Sequence, residues 1–308
     1  MVYEVCPIVF STDDNYALPT AVAIKSIIEH YSGKSLTIII LYKDNLSCIS
    51  KGLICQATYC KNISVTINYI DVGNMLGTPV SHISHISSAT YYRLALPELL
   101  PNYNRCLYLD GDIVVTDDIC ELLNMEFYKD EYIAGVRAVS YRLGNKDAQD
   151  MLMKRIGIPN FDTYVNAGVL LINLKEFREN KLSERMRQLI DNDFPTQDQD
   201  IINLVCFGHI KIIKPRYNVL PLINTLGIRL LNKVYSIDDI KNARKEPCII
   251  HYADKEKPWK YKGIKNGNEW NKVYSELCAS ITVKKMRVPM RRRIKGIVYR
   301  ISREIKAK

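Results

Sequence analysis

The stretch Arg105-Cys-Leu-Tyr-Leu-Asp-Gly-Asp-Ile-Val-Val115 places two carboxylates between two apolar runs of strand type. On an extended chain, residues two positions apart point to the same side, so Asp110 and Asp112 can face one point across Gly111. Carboxylate oxygens at such a point suit a divalent cation, and a cation there suits a bound diphosphate. The same residue types are also common in turns, because glycine adopts positive φ and aspartate bonds its own backbone. The stretch therefore indicates either a metal site at the end of a buried strand or an ordinary turn.

The composition of the 308-residue chain is that of a globular protein, with 47% hydrophobic residues. This length can build one large α/β domain or two smaller ones. The nine cysteines include no C-x-x-C pair, which favours reduced thiols and a cytosolic compartment. No apolar run has the length of a membrane span, and the first ten residues are unlike a signal peptide, so we expect neither.

Short apolar runs alternate with segments of helical spacing along the first quarter of the chain. This alternation predicts an α/β fold with a doubly wound sheet flanked by helices. Neither G-x-G-x-x-G nor G-K-[ST] occurs, so dinucleotide and P-loop phosphate binding are not indicated. The predicted elements are a strand over Val5–Phe10, a helix over Ala17–His30, a strand over Leu36–Tyr42, a helix over Ser47–Tyr59 and a strand over Val65–Val72.

Several polar residues near these elements allow two interpretations. Asp13 and Asn15, after the first strand, either bond a base or ribose or cap the following helix. Arg93, near the start of a predicted helix, either contacts a phosphate or pairs with a surface acid. His82 and His85 have no third ligand at zinc spacing, so we interpret them as solvated loop residues.

The middle of the chain contains a second candidate binding element. A strand is predicted over Tyr132–Val139. The triplet Asn166-Ala167-Gly168 predicts a close-approach turn ahead of an uncharged strand, which suggests a ligand against the backbone. Lys175–Asn192 predicts one amphipathic helix.

Two further elements close the body of the chain. A helix is predicted to open at Pro195-Thr-Gln-Asp-Gln-Asp200, where Thr196 and Gln199 have the spacing of a capping box. Cys248–His251 predicts a last short strand that ends in histidine.

The net charge of +10 lies in the C-terminal segment. From Lys284 to Lys308 there are eleven basic residues and one acid, which accounts for the whole excess. Within Met290–Ile305, aliphatic residues share one helical stripe, which predicts a helix on an anionic membrane surface. A nucleic-acid-binding arm is the alternative. Because phosphate binding needs no aliphatic face, we favour the membrane and expect no nucleic acid.

Four stretches occur in an order that resembles retaining glycosyltransferase family 8, over about residues 5–275. They are the Asp13-Asp-Asn15 stretch, Asp-Gly-Asp, Asn-Ala-Gly within N-A-G-V-L-L-I-N-L, and, after D-Q-D, His251 with Lys257-Pro-Trp259. The resemblance implies an α/β GT-A fold with a Rossmann-like mixed sheet flanked by helices. It implies the transfer of a hexose from UDP-glucose or UDP-galactose with retention of anomeric configuration. It also implies Mn²⁺, with Mg²⁺ as the alternative, held by Asp110, Asp112 and His251. An imidazole beside carboxylates agrees with a preference for Mn²⁺.

The resemblance also implies a donor site. Asp13 and Asn15 match positions that bind uracil and ribose, while Arg93 and Lys257 match positions that reach the sugar or diphosphate. We expect Gly111 to keep the space between the carboxylates clear for the nucleotide. The residues expected to line the donor sugar are Asn166, Ala167, Asp198 and Gln199.

Catalysis is expected to involve Gln199 and Asp198. A neutral amide is a poor nucleophile, so we favour a front-face substitution in which the leaving phosphate helps to deprotonate the acceptor. Gln199 would then stabilise the oxocarbenium ion.

Two positions depart from the family pattern. Ala138 stands where an aspartate that touches substrate is expected, and Asp254 stands where a glycine of the closing loop is expected. Both departures bear on donor and acceptor identity.

We predict a GT-A domain over residues 1–275 and a basic, amphipathic membrane-associating tail over 276–308. The expected acceptor is lipopolysaccharide or another lipid-linked glycan, and the expected location is cytoplasmic, peripheral on the inner face of the plasma membrane. The alternatives are a soluble glycogenin-like glucosyltransferase and a non-catalytic nucleotide-sugar binding module.

Overall fold

The structure is a computed structural model that describes residues 5–43, 45–60, 62–75, 88–277 and 286–287. His82, His85 and the stripe within Met290–Ile305 lie outside the described residues. The strands are β1 (Ile8–Ser11), β2 (Ser35–Tyr42), β3 (Ser64–Asp71), β4 (Arg105–Leu109), β5 (Ile113–Val115), β6 (Ile133–Arg137), β7 (Val165–Asn173), β8 (Ile210–Ile212), β9 (Ile249–His251), β10 (Tyr261–Lys262) and β11 (Met286–Arg287).

Helices connect and cover these strands. Two 3-10 helices span Ser88–Ala95 and Pro215–Tyr217. The α-helices are α1 (Ala17–His30), α2 (Cys48–Ala57), α3 (Leu96–Leu99), α4 (Cys120–Leu123), α5 (Val139–Arg142), α6 (Lys146–Ile156), α7 (Leu174–Glu179), α8 (Leu182–Arg187), α9 (Asp198–Val205), α10 (Pro221–Thr225), α11 (Ile228–Leu231), α12 (Ile237–Lys245) and α13 (Gly267–Leu277).

The main sheet is mixed, with seven strands in the order β3-β2-β1-β4-β7-β6-β8. The first four strands in this order are parallel, as in the predicted Rossmann-like half. β7 is antiparallel to both of its neighbours, and β8 is parallel to β6. The predicted α/β fold with a sheet flanked by helices is therefore confirmed.

The core lies on both faces of this sheet. Along β1, Ile8 and Phe10 pack in one cluster with Ile24 of α1. Val9 points the other way and packs with Tyr91 of the 3-10 helix. All four side chains named from β1 and α1 are fully buried. This two-sided burial explains why the parallel strands read as nearly continuous apolar runs.

The sheet topology brings the polar strand ends together. Phe10 pairs with Leu109, so the carboxyl ends of β1 and β4 lie side by side. Leu109 also pairs with Val169 of antiparallel β7, so the start of β7 meets the end of β4. In a separate two-stranded sheet, Ile113 of β5 pairs with His251 of β9. Residues about 140 positions apart in sequence therefore meet at one edge.

The predicted single helix over Lys175–Asn192 is wrong. The chain forms α7 and α8, with Lys181 between them in the left-handed conformation at φ 51°. In one uninterrupted helix, Phe177 and Leu182 would lie about 140° apart around the axis. Both side chains are buried in the same cluster, so the break lets each of them face the core.

Two described elements extend past residue 275, where we predicted that the GT-A domain ends. Helix α13 extends to Leu277, and Tyr261 of β10 pairs in parallel with Met286 of β11. No helix in the described ranges is long and apolar enough to cross a bilayer.

Two glycines of the body should respond oppositely to alanine. Gly52 lies inside α2 with open space where an alanine methyl would go, so Gly52→Ala should raise the free energy of unfolding by about 0.5–1 kcal/mol. Gly73 also has open space but a φ of +52°, which an alanine rarely adopts. Gly73→Ala should therefore lower the free energy of unfolding by about 1 kcal/mol. Urea unfolding of both variants measures the difference. The same sign of change in both would contradict this helix and turn assignment.

Candidate active site

Asp110, Asp112 and His251 form a compact cluster at this edge of the sheet. Their candidate ligand atoms all lie within 4.8 Å of one another. His251 Nε2 is 3.2 Å from Asp112 Oδ1 and 3.8 Å from Asp110 Oδ2. Asp112 Oδ1 is buried and has no hydrogen-bond partner among the described residues, as expected of an atom that faces a cation. The donor set therefore fits a divalent metal ion.

Asp110-Gly111-Asp112 is not a continuous extended strand, contrary to the expectation for a chain with both carboxylates on one side. The triplet forms a turn between β4 and β5, which belong to different sheets. Asp110 N–H donates to Gly168 O at 2.8 Å, and Tyr252 N–H donates to Asp112 O at 2.9 Å. The stretch is therefore both a turn and a candidate metal site, because the turn directs both carboxylates toward His251.

Two glycines allow this close packing. A Cβ at Gly168 would overlap the His251 ring and lie 2.6 Å from Asp110 Oδ2. A Cβ at Gly111 would lie 2.5 Å from the hydroxyl of Thr20 in α1. Gly111 therefore makes room for α1, whereas we had expected it to clear space for the nucleotide. Gly168, which was not singled out by itself, is the residue that admits the cluster.

Lys257 supplies a positive charge beside the cluster. Its Nζ lies 2.5 Å from Asp112 Oδ2 and donates to Tyr252 O at 2.6 Å. Burial alone would raise the pKa of Asp112, but Lys257 and then His251 outweigh burial and hold this pKa below its ordinary range. Asp112 therefore stays ionised, the form that binds a cation.

Arg93 lies inside the protein and does not project from a helix start. It belongs to the 3-10 helix, is 3% exposed, and stacks over Tyr108 with Cζ 4.2 Å from the ring centroid. Its Nη2 donates to Asp110 Oδ1 at 2.9 Å, and its Nη1 donates to Ala167 O. The predicted pairing with a surface acid is wrong, and in this structure the guanidinium orients Asp110 from behind.

Arg93 also lies next to Asp198, whose Oδ2 is 3.1 Å from Nε. Burial raises the pKa of Asp198 to about 6. Arg93 opposes this rise, and the charge of Asp110 adds to it. The two carboxylates therefore compete for one buried guanidinium.

Asn166 and Gln199 meet across the start of β7. Gln199 Oε1 accepts from Asn166 Nδ2 at 2.9 Å and from Ala167 N–H at 3.1 Å. Its Nε2 donates to the Tyr164 hydroxyl at 3.1 Å. The Asn-Ala-Gly triplet lies within β7 itself, so the predicted turn ahead of the strand is wrong. The pleat, not a turn, carries Asn166 to Gln199.

The helix that presents Asp198 and Gln199 does not use the predicted capping box. Helix α9 begins at Asp198, and Thr196 N–H donates to Asp200 Oδ2 at 2.6 Å, not to the Gln199 side chain. Gln199 is only a donor to Thr196, from its N–H to Thr196 O at 3.1 Å and from Nε2 to Thr196 Oγ1 at 3.5 Å. Gln197, before the helix, has φ 52° and ψ −120°, a region that costs a non-glycine residue on the order of 1–3 kcal/mol. This strained residue lies two positions before Gln199, whose side chain bonds Asn166.

The loop after β1 reaches the cluster through Tyr16. Asp13 Oδ1 accepts from Tyr16 N–H at 2.9 Å, the capping role that was one of its two interpretations, and Asn15 is exposed. Burial raises the pKa of Tyr16, and the charges of Asp112 and Asp110 raise it further. Its ring meets Trp259 edge-on at 5.9 Å.

Asn218 was not found by the sequence reasoning. It is fully buried, and its amide lies 3.0 Å from His251 Nδ1 and 2.9 Å from Asn166. A lone asparagine between Tyr217 and Val219 carries no motif that would have singled it out.

Two positions were predicted to depart from the family pattern, Ala138 and Asp254. Ala138 is buried and donates its N–H to Tyr164 O at 2.9 Å, while Asp254 is exposed.

The raised pKa of Asp198 predicts a pH effect on stability. The unfolded carboxyl titrates near 3.9, so between about pH 4 and pH 6 the folded state holds a proton that the unfolded state has lost. This group's contribution therefore falls by about 3 kcal/mol as pH rises through that window. In urea unfolding, the stability of the wild type relative to Asp198→Asn should therefore fall by this amount between about pH 4 and pH 6.

The exposed Asp150 in α6 provides the control for this comparison. Asp150→Asn should follow the wild-type pH profile. Parallel profiles for Asp198→Asn and the wild type would show that Asp198 titrates normally.

Comparison with known proteins agrees with this geometry. Residues 7–263 match the model of the family "Glycosyl transferase family 8". A putative glycosyltransferase of Haemophilus influenzae is 32% identical over 221 residues, which cover 70% of this chain and 63% of that protein. A lipopolysaccharide 1,2-glucosyltransferase of Escherichia coli is 30% identical over 256 residues, 80% of this chain and 71% of that protein.

Solved structures share the fold. The galactosyltransferase LgtC, in complex with donor and acceptor sugar analogues, superposes with a TM-score of 0.73 at 27% identity over 94% of this chain and 99% of that chain. The apo structure of the bifunctional glycosyltransferase WbbM gives 0.75 at 25% identity, over 89% of this chain and 50% of that chain. The predicted GT-A fold is confirmed. The chain belongs to glycosyltransferase family 8 and is a glycosyltransferase enzyme.

Proposed function

We propose that this glycosyltransferase moves glucose or galactose from UDP-glucose or UDP-galactose to a glycan acceptor, with a divalent metal and with retention of configuration. The observation that carries the proposal is the convergence of Asp110, Asp112 and His251 within 4.8 Å. Asn218 links the hydrogen-bonded pair of Asn166 and Gln199, at the start of β7, to His251. In a nucleotide-sugar donor, the metal site would bind the diphosphate and the side-chain amides would line the sugar attached to it.

Asp110, Asp112 and His251 are the residues that would hold the metal. Two carboxylates and one imidazole suit Mn²⁺ better than Mg²⁺, which prefers oxygen ligands. When bound, the cation supplies charge neutralisation for the departing diphosphate. Lys257 Nζ lies 2.5 Å from Asp112 Oδ2, which supports a role for Lys257 in contacting the diphosphate oxygens.

Gln199 is better suited to stabilise charge than to attack the sugar. Its Oε1 already accepts two hydrogen bonds, from Asn166 and from the Ala167 backbone, so both lone pairs are engaged. Attack on the anomeric carbon would require one of these bonds to break. This geometry supports a front-face substitution in which the acceptor hydroxyl gives its proton to a leaving phosphate oxygen. Asp198 then acts on the site through Arg93.

The acceptor that we propose is lipopolysaccharide or another lipid-linked glycan. Support comes from the E. coli relative, which is named for lipopolysaccharide, and from the eleven basic residues between Lys284 and Lys308. A basic, amphipathic tail would hold the enzyme on the inner face of the plasma membrane. A soluble glycogenin-like glucosyltransferase is less well supported, because a soluble primer has no use for such a tail. Family membership argues against the non-catalytic binding module.

Donor hydrolysis tests the metal-dependent chemistry. Purified protein should hydrolyse UDP-glucose or UDP-galactose with Mn²⁺ and lose this activity in EDTA. Asp110→Asn and Asp112→Asn should each lower the rate by at least about a hundredfold, because each removes a charged ligand. Asp150→Asn removes a carboxylate far from the cluster in sequence and should retain wild-type rates. Wild-type rates in both cluster variants would contradict the proposed metal role.

Liposome sedimentation tests the tail. A chain that ends at Val288 keeps strand β11 but lacks the stripe within Met290–Ile305, so it should retain donor hydrolysis but no longer sediment with anionic vesicles. A second variant, with Ile294, Ile297 and Ile301 changed to serine, keeps every basic residue and should also lose most binding. Equal sedimentation of the full and shortened chains would refute membrane attachment. Full binding by the serine variant would show that charge alone attaches the tail.

A further inference from the structure

A buried chain of side-chain amides connects the candidate metal ligands to the candidate donor-sugar site, and it passes through Asn218. The backbone holds Asn218 in place at the end of the 3-10 helix Pro215–Tyr217. The next residue, Val219, bridges to Ile250 of β9, and His251 N–H donates to Val219 O at 3.2 Å. Asn218 is therefore fixed beside the His251 ring by neighbours on its own main chain.

The amide of Asn218 contacts one residue of each site. Its Oδ1 lies 3.0 Å from His251 Nδ1, and its Nδ2 donates to Asn166 Oδ1 at 2.9 Å. The oxygen and nitrogen of an amide have nearly the same shape, so their positions must follow from their partners. Asn218 is fully buried, so protein groups must satisfy these atoms.

Two backbone amides determine the direction of the whole chain, because a backbone N–H can only donate. Gly168 N–H donates to Asn166 Oδ1 at 3.1 Å. Ala167 N–H donates to Gln199 Oε1 at 3.1 Å. A flip of either side-chain amide would place two donors face to face. Asn166 must therefore present oxygen to Asn218 and nitrogen to Gln199, as the 2.9 Å bond to Gln199 Oε1 requires.

The direction of this chain sets the protonation of His251. Because Asn166 presents oxygen, Asn218 must present Nδ2 to it, and its Oδ1 then faces His251 Nδ1. That ring nitrogen must carry hydrogen. In a neutral imidazole the other nitrogen, Nε2, then keeps its lone pair, and Nε2 is the atom that faces Asp112 at 3.2 Å. This is the form of histidine that ligates a metal.

We propose that Asn218 is a positioning residue that sets the tautomer of His251 for metal binding and, with the same amide, orients Asn166 against Gln199. One chain of hydrogen bonds, with a single donor-to-acceptor direction, thereby connects the candidate metal ligands to the candidate donor-sugar residues. The inference rests on the metal site of the proposed function, but the tautomer itself can be measured without metal.

The first test is the tautomer of His251 in metal-free protein labelled with ¹⁵N-histidine. The chain has five histidines, so the signal can be assigned by its loss in His251→Gln. At a pH high enough that the His251 signals no longer change with pH, long-range ¹H–¹⁵N spectra should show the Nδ1–H form. In Asn218→Leu, Asp112 Oδ1 remains near Nε2 and should draw the hydrogen to that nitrogen. The Mn²⁺ Kd should then rise by about 10–100-fold.

Asn218→Asp separates the two roles. A carboxylate still accepts from His251 Nδ1–H, so the tautomer should persist and the Mn²⁺ Kd should stay within about threefold of wild type. It has no hydrogen to give Asn166, so kcat for donor hydrolysis should fall on the order of ten- to a hundredfold. Asn203→Ala is the matched control. It also removes a buried amide, but one that bonds Val165 and the Gln199 backbone. It should leave the His251 tautomer and Mn²⁺ affinity unchanged.

Three results would overturn the inference. The first is a spectrum of the wild-type protein that shows His251 in the Nε2–H form, a result that can be obtained without any variant. Another is a folded Asn218→Leu that keeps the Nδ1–H form and the wild-type Mn²⁺ Kd. The third is an Asn218→Asp variant in which kcat and metal affinity fall together, as a purely structural role would produce. Failure of the wild type to bind Mn²⁺ would instead refute the metal proposal, while the spectra would still decide the role of Asn218.

Discussion

Two buried or half-buried carboxylates lie beside each other and a histidine, and this arrangement requires compensating positive charge. Each carboxylate has its own cation in the structure: Arg93 contacts Asp110 at 2.9 Å, and Lys257 contacts Asp112 at 2.5 Å. Burial of an ionised carboxyl without a partner would cost several kcal/mol, on the order of the whole stability margin of a domain. The two cations differ in access, since the Arg93 side chain is 3% exposed in the core, whereas the Lys257 side chain, on a loop, is 11% exposed. Under the proposed function, Lys257 is therefore the cation that lies nearer to a donor diphosphate, while Arg93 compensates Asp110 from within the core.

The strand order and directions of the mixed sheet bring the residues of this cluster to one edge. Parallel strands bring the ends of β1 and β4 to one edge, and antiparallel β7 starts at that same edge. Its first residues therefore lie against Asp110 rather than at the far side of the molecule. At Gly168 the backbone comes so close to Asp110 and His251 that no side chain fits. The same strand carries Asn166, which joins the cluster to Gln199 through Asn218.

Local patterns predicted local structure well. Helix α1 begins and ends at the predicted Ala17 and His30, because its buried stripe and its polar flanks agree. The motif order predicted the family and the three residues that converge as candidate metal ligands. Failures arose where tertiary packing overrides the pattern. The break at Lys181 lets two buried side chains face one core, and Arg93 is drawn inward by Asp110 and Asp198. Asn218 could not be predicted, because its importance lies only in which groups the fold places around it.

The central claim is that Asp110, Asp112 and His251 hold one divalent cation against the donor diphosphate. Anomalous diffraction from crystals grown with Mn²⁺ and UDP measures this most directly. We predict a single strong manganese peak within bonding distance of Asp110, Asp112 and His251 Nε2, with diphosphate oxygens completing its shell. A peak elsewhere on the chain, or ordered UDP with no manganese between these side chains, would contradict it.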